Sequence, residues 1–276
     1  MKTNPLKLYR IPRKIVWVCR TTSTNDLAKY ELLKDPRPWQ AFFASEQTKG
    51  RGRKGNHWVS LKDKGLFLSI VLPDVNKELR NLIPIVTGIS VAEAIEARVK
   101  RKSNKDIAIK LKWPNDIYLN NKKLGGILCE RTSYGSISRI ICGIGINLTG
   151  HPKDISHINP ATDLLIQTDT IINAGQLVNP ICNNIWAYLL KLNEKRQQIV
   201  DNFLKRDLLY NQYVEIESPI LIRSDNFNVA ESIRGIAKGI DENGALMLES
   251  YGIIYRLISG TVSILKEPKR LLRSTL

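Results

Sequence analysis

Between Ser45 and Trp58 the chain reads Ser45-Glu46-Gln47-Thr48-Lys49-Gly50-Arg51-Gly52-Arg53-Lys54-Gly55-Asn56-His57-Trp58. Glycine inside regular structure costs about 0.5–1 kcal/mol relative to alanine. Three glycines within six residues therefore argue against a helix or an inner strand here. They permit a loop whose backbone N–H groups can approach a ligand closely. Arg51 and Arg53 are two apart, so an extended segment would put both guanidinium groups on one side. Such planar forks grip carboxylates and phosphates with paired hydrogen bonds. Three readings fit the stretch: a solvated basic hairpin loop, a nucleic-acid patch, or an anion-binding loop that closes over a small ligand.

The 276 residues suit one large domain, or a large one with a small one. A hydrophobic content of 43% supports a real core. The charge is uneven, with 42 Lys+Arg against 26 Asp+Glu and a formal +16, a field that attracts anions. The densest runs, Lys49–Lys54, Arg98–Lys102 and Lys266–Arg273, are far apart, as on a solvated surface rather than a binding stripe. Cys19, Cys129, Cys142 and Cys182 have no C-x-x-C spacing and read as reduced thiols of a cytosolic protein. His57, His151 and His157 fit no zinc spacing. A secretory leader and a long apolar run are both lacking, so a soluble, cytoplasmic protein with no membrane partner is expected.

Along the chain, Ile15 to Cys19 reads as a strand. Ser23 with Asp26 resembles a capping box that opens a helix, whose N–H groups and small polar side chains could also face a ligand. Ala41 to Ala44 is a short buried strand that delivers the glycine-arginine loop. Gly65 to Leu72 is apolar on both faces and so an inner strand. Apolar spacing from Leu79 to Lys102 describes an amphipathic helix with Pro84 near its start. Ile107 to Leu111, Ile117 to Leu119 and Lys122 to Glu130 read as strands, the last two joined by an Asn120-Asn121 turn. Arg139 to Ile146 is a strand interrupted by Gly143 and Gly145, where a ligand or another backbone comes close. Residues Thr149 to Thr170 read as a long irregular loop. Helices follow around Leu177 to Leu189 and Ile199 to Tyr210. Five short strands then fill the last part: Ile220–Ile222, Ile233–Ile240, Ala245–Leu248, Ile253–Ile258 and Val262–Leu265. They suggest a small β-barrel beginning near residue 217.

Five segments together resemble the biotin protein ligases. They are Thr22-Ser23-Thr24-Asn25; Gln47 with Gly50 to Gly55 and Trp58; Lys112-Trp113-Pro114-Asn115-Asp116; Lys123 to Leu128; and Gly143 to Asn147. Gly239-Ile240-Asp241 through Gly244-Ala245-Leu246 is similar to the family's C-terminal barrel. The resemblance implies an α+β fold: a mixed sheet flanked by helices over residues 1–216, then an SH3-like barrel over 217–276. It also implies a reaction in two steps. Biotin and MgATP give biotinyl-5′-AMP and pyrophosphate, and the activated carboxyl then acylates a lysine on the biotin carrier domain of a carboxylase. About 20 residues precede the first motif, so the form without an N-terminal DNA-binding domain, and without specific DNA, is expected. A homodimer is an open option.

By resemblance, Ser23, Thr24, Asn25 and Gln47 read the ureido ring of biotin, with Arg51, Gly52, Arg53 and Lys123 completing that site. Arg51, Arg53 and Lys123 would supply the cations that the first step needs, because charge develops where a carboxylate meets a triphosphate. Gly50, Arg51, Trp58, Asn115, Lys123 and Asn147 are the expected nucleotide contacts, with Trp58 stacking on adenine. Asp116 is the candidate ligand for magnesium. Trp113-Pro114 reads more simply as a rigid turn. Some relatives place an arginine in the last barrel strand, where this chain has Leu265 and Lys266, which leaves the barrel's contact with ATP open. Two alternatives stand beside this reading: a lipoate or octanoate ligase of the same fold, and a regulator that binds biotin or nucleic acid without catalysis.

The net charge alone predicts DNA binding that is steep in salt and indifferent to sequence. Competition between an operator-like duplex and random DNA checks this. A preference above about a hundredfold would overturn it, since specific binders exceed non-specific affinity by roughly 10³ or more.

Overall fold

A computed structural model describes residues 11–152, 160–223 and 226–265. His157, Lys266 and the tail Pro268 to Leu276 lie outside the described residues. The first sheet comprises β1 (Lys14–Thr21), β2 (Gln40–Gln47), β3 (Gly65–Pro73), β4 (Lys110–Lys112), β5 (Asp116–Leu119), β6 (Lys122–Tyr134) and β7 (Ile137–Asn147). Its order is β1-β2-β3-β7-β6-β5-β4. β1 runs parallel to β2 and the other neighbours pair antiparallel, so the sheet is mixed.

The double-sided reading of β3 has a direct cause. Leu66, Leu68, Ile70 and Leu72 join the main core with α2 (Leu82–Ser103) and α4 (Gly175–Leu190), while Val71 packs with Phe42, Ile141 and Ala28 and Leu32 of α1 (Thr24–Leu32). Helices thus cover both faces of the sheet. Pro84 lies in the first turn of α2, where backbone N–H groups have no intrahelical partner. The helix ends with Lys100, Arg101 and Lys102 near its carbonyl end and Asn104 in the left-handed region. The loop expected over 149–170 contains a short helix, α3 (Leu164–Thr168), because Asp163 caps it by accepting from the Ile166 N–H. α5 (Arg196–Leu204) stops before Tyr210.

The second sheet has β8 (Tyr213–Arg223), β9 (Asn226–Val229), β10 (Ser232–Ile240), β11 (Leu246–Ser250) and β12 (Ile253–Ile264) in the order β10-β11-β12-β8-β9. A further pairing of β10 with β8 closes it into a barrel. The expected boundary at 217 falls inside β8, which begins at Tyr213. β12 replaces the two strands expected at Ile253–Ile258 and Val262–Leu265. Ser259-Gly260 is a bulge rather than a turn: the register shifts on either side of Ser259, and a Cβ at Gly260 would meet the Ile216 side chain. The barrel is tied to the first sheet where the Trp113 indole donates to the Gly244 carbonyl at 3.1 Å. Trp113 is also part of the core, so the Trp113-Pro114 turn has a packing role. No helix among the described residues is long and apolar enough to cross a membrane.

Segment Arg206–Leu208 covers the outer edge of β4. The Leu111 N–H donates to the Arg206 carbonyl and the Leu208 N–H to that of Leu111. Asp207 is buried there; one carboxylate oxygen accepts from the Leu209 N–H and the other lacks a partner. Burial, only partly offset by that hydrogen bond and by Lys110, pushes its pKa up to about 6. Because the folded value is the raised one, its favourable contribution is complete below about pH 4 and is lost as pH rises to about 6. A gap of that size corresponds to roughly 3 kcal/mol. Chemical denaturation of wild type and Asp207→Asn should therefore show the wild type losing stability relative to the variant across that window, with no further change above it. Parallel stability curves would count against this assignment.

Candidate active site

The N-terminal end of α1, the loop after β2 and the glycine-bearing middles of β6 and β7 converge on a cavity of about 310 Å³. Space for it comes from missing side chains. A Cβ at Gly143 would lie 2.5 Å from Asn25 Oδ1, and one at Gly145 would lie 2.6 Å from the Trp58 ring. Gly126 pairs with Gly145 across β6 and β7, and it too faces Trp58. The glycines let an asparagine and an indole lie directly on the sheet.

Asn25 and Thr24 are almost fully buried and held by a polar network. Ser69 Oγ lies 2.7 Å from Thr24 Oγ1 and 2.6 Å from Asn25 Oδ1. Gln47 Oε1 accepts from the Thr24 N–H at 2.8 Å, and Gln47 Nε2 donates to Ser60 Oγ at 3.1 Å. Asn25 Nδ2 donates to Glu130 Oε2 at 2.6 Å, and Lys29 Nζ sits 2.9 Å from Oε1. Burial alone would raise the Glu130 pKa, but the bonds from Lys29 and Asn25, with Arg51 nearby, outweigh it and hold the carboxylate below its usual range. Ser23 occupies the N-cap of α1 but its side chain makes no capping bond, contrary to the capping-box reading. It lines the cavity instead.

The glycine-arginine loop forms a narrow tongue. The Trp58 N–H donates to the Gly50 carbonyl and the Gly52 N–H to that of Asn56, and the turn at Arg53–Gly55 places Lys54 at φ 54°. This turn separates the two arginines that an extended segment would have aligned. Arg51 Nη2 pairs with Asp26 at 2.8 Å and Glu130 at 2.9 Å. Arg53 instead donates to Asn115 Oδ1 and to Ser259 Oγ on β12, both at 3.2 Å. Burial lowers the Arg53 pKa against the attraction of Asp116. Lys54 donates to Thr261 Oγ1 at 3.0 Å. Gly260 to Ser263 complete one wall of the cavity, so the barrel contributes to it through β12. Leu265 makes only a backbone bond to Tyr213 among its hydrogen bonds.

Lys123 pairs with Asp116 at 2.7 Å, while its neighbour Lys122 is exposed and outside the cavity. Among the expected site residues, Ser23, Thr24, Asn25, Gln47, Arg51, Gly52, Arg53, Trp58, Asn115, Asp116 and Lys123 line the cavity. Gly50 and Asn147 do not. Gly50 lets the loop approach the Trp58 carbonyl, and Asn147 Nδ2 donates to the Thr162 carbonyl at 2.9 Å. Thr162 in turn donates its N–H to the Lys123 carbonyl, so Asn147 steadies the segment beside Lys123. Among the described residues no three His, Cys, Asp or Glu side chains gather as a metal site. Among the described residues, Asp116 is the only carboxylate lining the cavity. Sequence reasoning gave no role to Ser69, Glu130 or Lys112. A single hydroxyl in an apolar strand and a single acid after Leu128-Cys129 were the available signals.

The close approach at Gly143 generates a stability test. Gly143→Ala would displace Asn25 and lose about 1–3 kcal/mol, as overpacking does. Gly175→Ala, in open space at the start of α4, should be neutral or slightly stabilising. Urea unfolding compares them, and equal effects would contradict the packing described here.

The Biotin/lipoate A/B protein ligase family model matches residues 17–147. The bifunctional ligase/repressor BirA of Salmonella typhimurium is 30% identical over 244 residues, 88% of this chain and 71% of the relative. For its Escherichia coli counterpart, also 30% identical, the chain spans 81% of itself and 66% of the relative. The biotin--[acetyl-CoA-carboxylase] ligase of Mycobacterium tuberculosis is 24% identical, covering 91% of this chain and 88% of the relative. The Aquifex aeolicus biotin protein ligase solved with biotin and ATP superposes with a TM-score of 0.73 at 27% identity, covering 92% of this chain and all of that one. With the motifs in order and the same two-sheet architecture, the chain belongs to the biotin/lipoate A/B protein ligase family.

Proposed function

We propose that the protein is a biotin protein ligase that joins biotin to MgATP as biotinyl-5′-AMP and passes the biotinyl group to a lysine of a carboxylase's carrier domain. One observation carries this reading. A set of donors and acceptors, buried Thr24 and Asn25 with half-buried Gln47, opens into the same cavity as Arg53 and Lys123. The ureido ring of biotin has a carbonyl to be donated to and two N–H groups to be accepted. A plain acyl chain has neither, so the buried polar set supports biotin over lipoate or octanoate. The relatives named biotin ligases, and the homologous ligase solved with biotin and ATP, support the same choice.

In the first step a carboxylate oxygen attacks the α-phosphorus and the bond to the β-phosphate oxygen breaks, so pyrophosphate leaves with the electron pair. Arg53 and Lys123 are fixed beforehand where that charge develops, which is electrostatic preorganisation. Trp58 offers a ring face for adenine. Magnesium, when bound, shares the phosphate charge. Asp116 is the candidate side chain for it; as a single carboxylate already paired with Lys123, it suits a metal held mainly by phosphates and water. In the second step the carrier lysine's neutral amine attacks the acyl carbon, AMP departs, and the new amide loses a proton. All side chains named come from one chain, so neither step requires a homodimer. A cytoplasmic location, where ATP is plentiful, suits this activity, and specific DNA binding has no part in it.

Intact-mass analysis after incubation with ATP, biotin and a carrier domain should show one added biotinyl group. Modification by a lipoyl or octanoyl group instead would refute the reading.

A second test separates the two adjacent lysines. Lys123 faces the cavity and Lys122 faces water. Removing a donor that meets developing charge costs roughly 3–4 kcal/mol. Lys123→Ala should therefore slow biotinyl-AMP formation about 100-fold or more, while Lys122→Ala stays within a few-fold. Pyrophosphate release without any carrier isolates the step. Similar behaviour of the two variants would contradict the role given to Lys123.

A further inference from the structure

Lys112 is the last residue of β4 and lines the cavity, yet it is only 7% exposed. Among the described residues its ammonium makes no hydrogen bond and no ion pair. Its Nζ lies 5.8 Å from the Tyr118 ring centroid, near the limit of a cation–π attraction. Burial lowers its pKa; Asp116 opposes that shift and Lys123 adds to it. Asp116, the cross-strand backbone partner of Lys112, gives its carboxylate to Lys123 and forms no ion pair with Lys112. A largely desolvated lysine with no ion-pair partner of its own is costly to a fold unless a ligand supplies the charge. Glu130 and Arg206, both half-buried, are paired, and the charge of buried Asp207 at the outer edge of β4 acts on Lys110 rather than Lys112.

Position narrows the choice of ligand. The polar set around Asn25 stands over Gly143 on β7, Lys123 is on β6, Asp116 on β5 and Lys112 on β4. In the order of the sheet, Lys112 therefore lies beyond Lys123 on the side away from the ureido-reading residues. Resting on the ligase reading above, we propose that Lys112 binds the β- and γ-phosphates of ATP and, after the α–β bond breaks, the departing pyrophosphate. Lys123 and Arg53 serve the reacting carboxylate and α-phosphate. Lys112 then acts in adenylate formation and has no part in transfer to the carrier lysine.

Lys112→Met keeps the stem and removes the charge. Formation of biotinyl-AMP from biotin and MgATP should slow about 100-fold, with a raised KM for ATP. Magnesium pyrophosphate should bind at least tenfold more weakly by calorimetry. Biotin binding, and transfer from pre-formed biotinyl-AMP to the carrier domain, should stay within about threefold. The variant without ligands should melt no lower than wild type, since it loses only an unpaired charge. Adenylation unchanged, both half-reactions falling alike, or a lower melting temperature would each overturn the assignment. On the wild-type protein, magnesium pyrophosphate should protect Lys112 from reductive methylation read by peptide mass, while biotin alone should not. Equal labelling with and without pyrophosphate, including none in either, also overturns it. A wild type that binds pyrophosphate at Lys112 yet forms no biotinyl-AMP would refute the ligase reading and leave this site standing.

Discussion

Charge imbalance across the cavity is the constraint on which the rest of the site depends. Among the described residues, Arg51, Arg53, Lys54, Lys112 and Lys123 line it with one carboxylate, Asp116. Placing acids beside each cation would steady the protein but would compete with the anions proposed to bind there. The structure steadies Arg53 with neutral acceptors, Asn115 and Ser259, which fix its direction without cancelling its charge. Arg51, two residues earlier, is neutralised by Asp26 and Glu130. Adjacent members of one sequence motif therefore hold opposite electrostatic states, and a tight turn between them is what makes this feasible.

The polar network around Asn25 answers a second constraint. Asn25 is buried, and a buried amide needs partners on every side. Ser69, Leu128 and Glu130 supply them from two strands, and Gly143 leaves the space. The helix start, the sheet and the loop are thereby held in one arrangement.

Much of the fold was legible because local signals and tertiary context agree. β3 is apolar on both faces and is covered on both faces. The Asn120-Asn121 turn sets the register that separates Lys122 from Lys123. Legibility failed where a contact distant in sequence decides the outcome. β12 continues through Gly260 because Ile216, on another strand, packs against it. Asn147 turns to Thr162, and Arg53 to Ser259, for partners that no short window contains. Lys112 was visible within its motif, but that it would be buried without an ion pair was not.

The tongue's bonds to β12 have a consequence for how the protein comes into being. Arg53 and Lys54 are made early in synthesis, while Ser259 and Thr261 lie more than 200 residues later. A nascent chain holds the strands of the first sheet, with Thr24, Asn25 and Gln47, well before the wall formed by Gly260 to Ser263 exists. Until that strand emerges, the cations have one partner fewer and the cavity stands open on that side. Completion of the site therefore reports completion of the barrel, and chains cut short before β12 carry the motifs without the enclosure that gives them their setting.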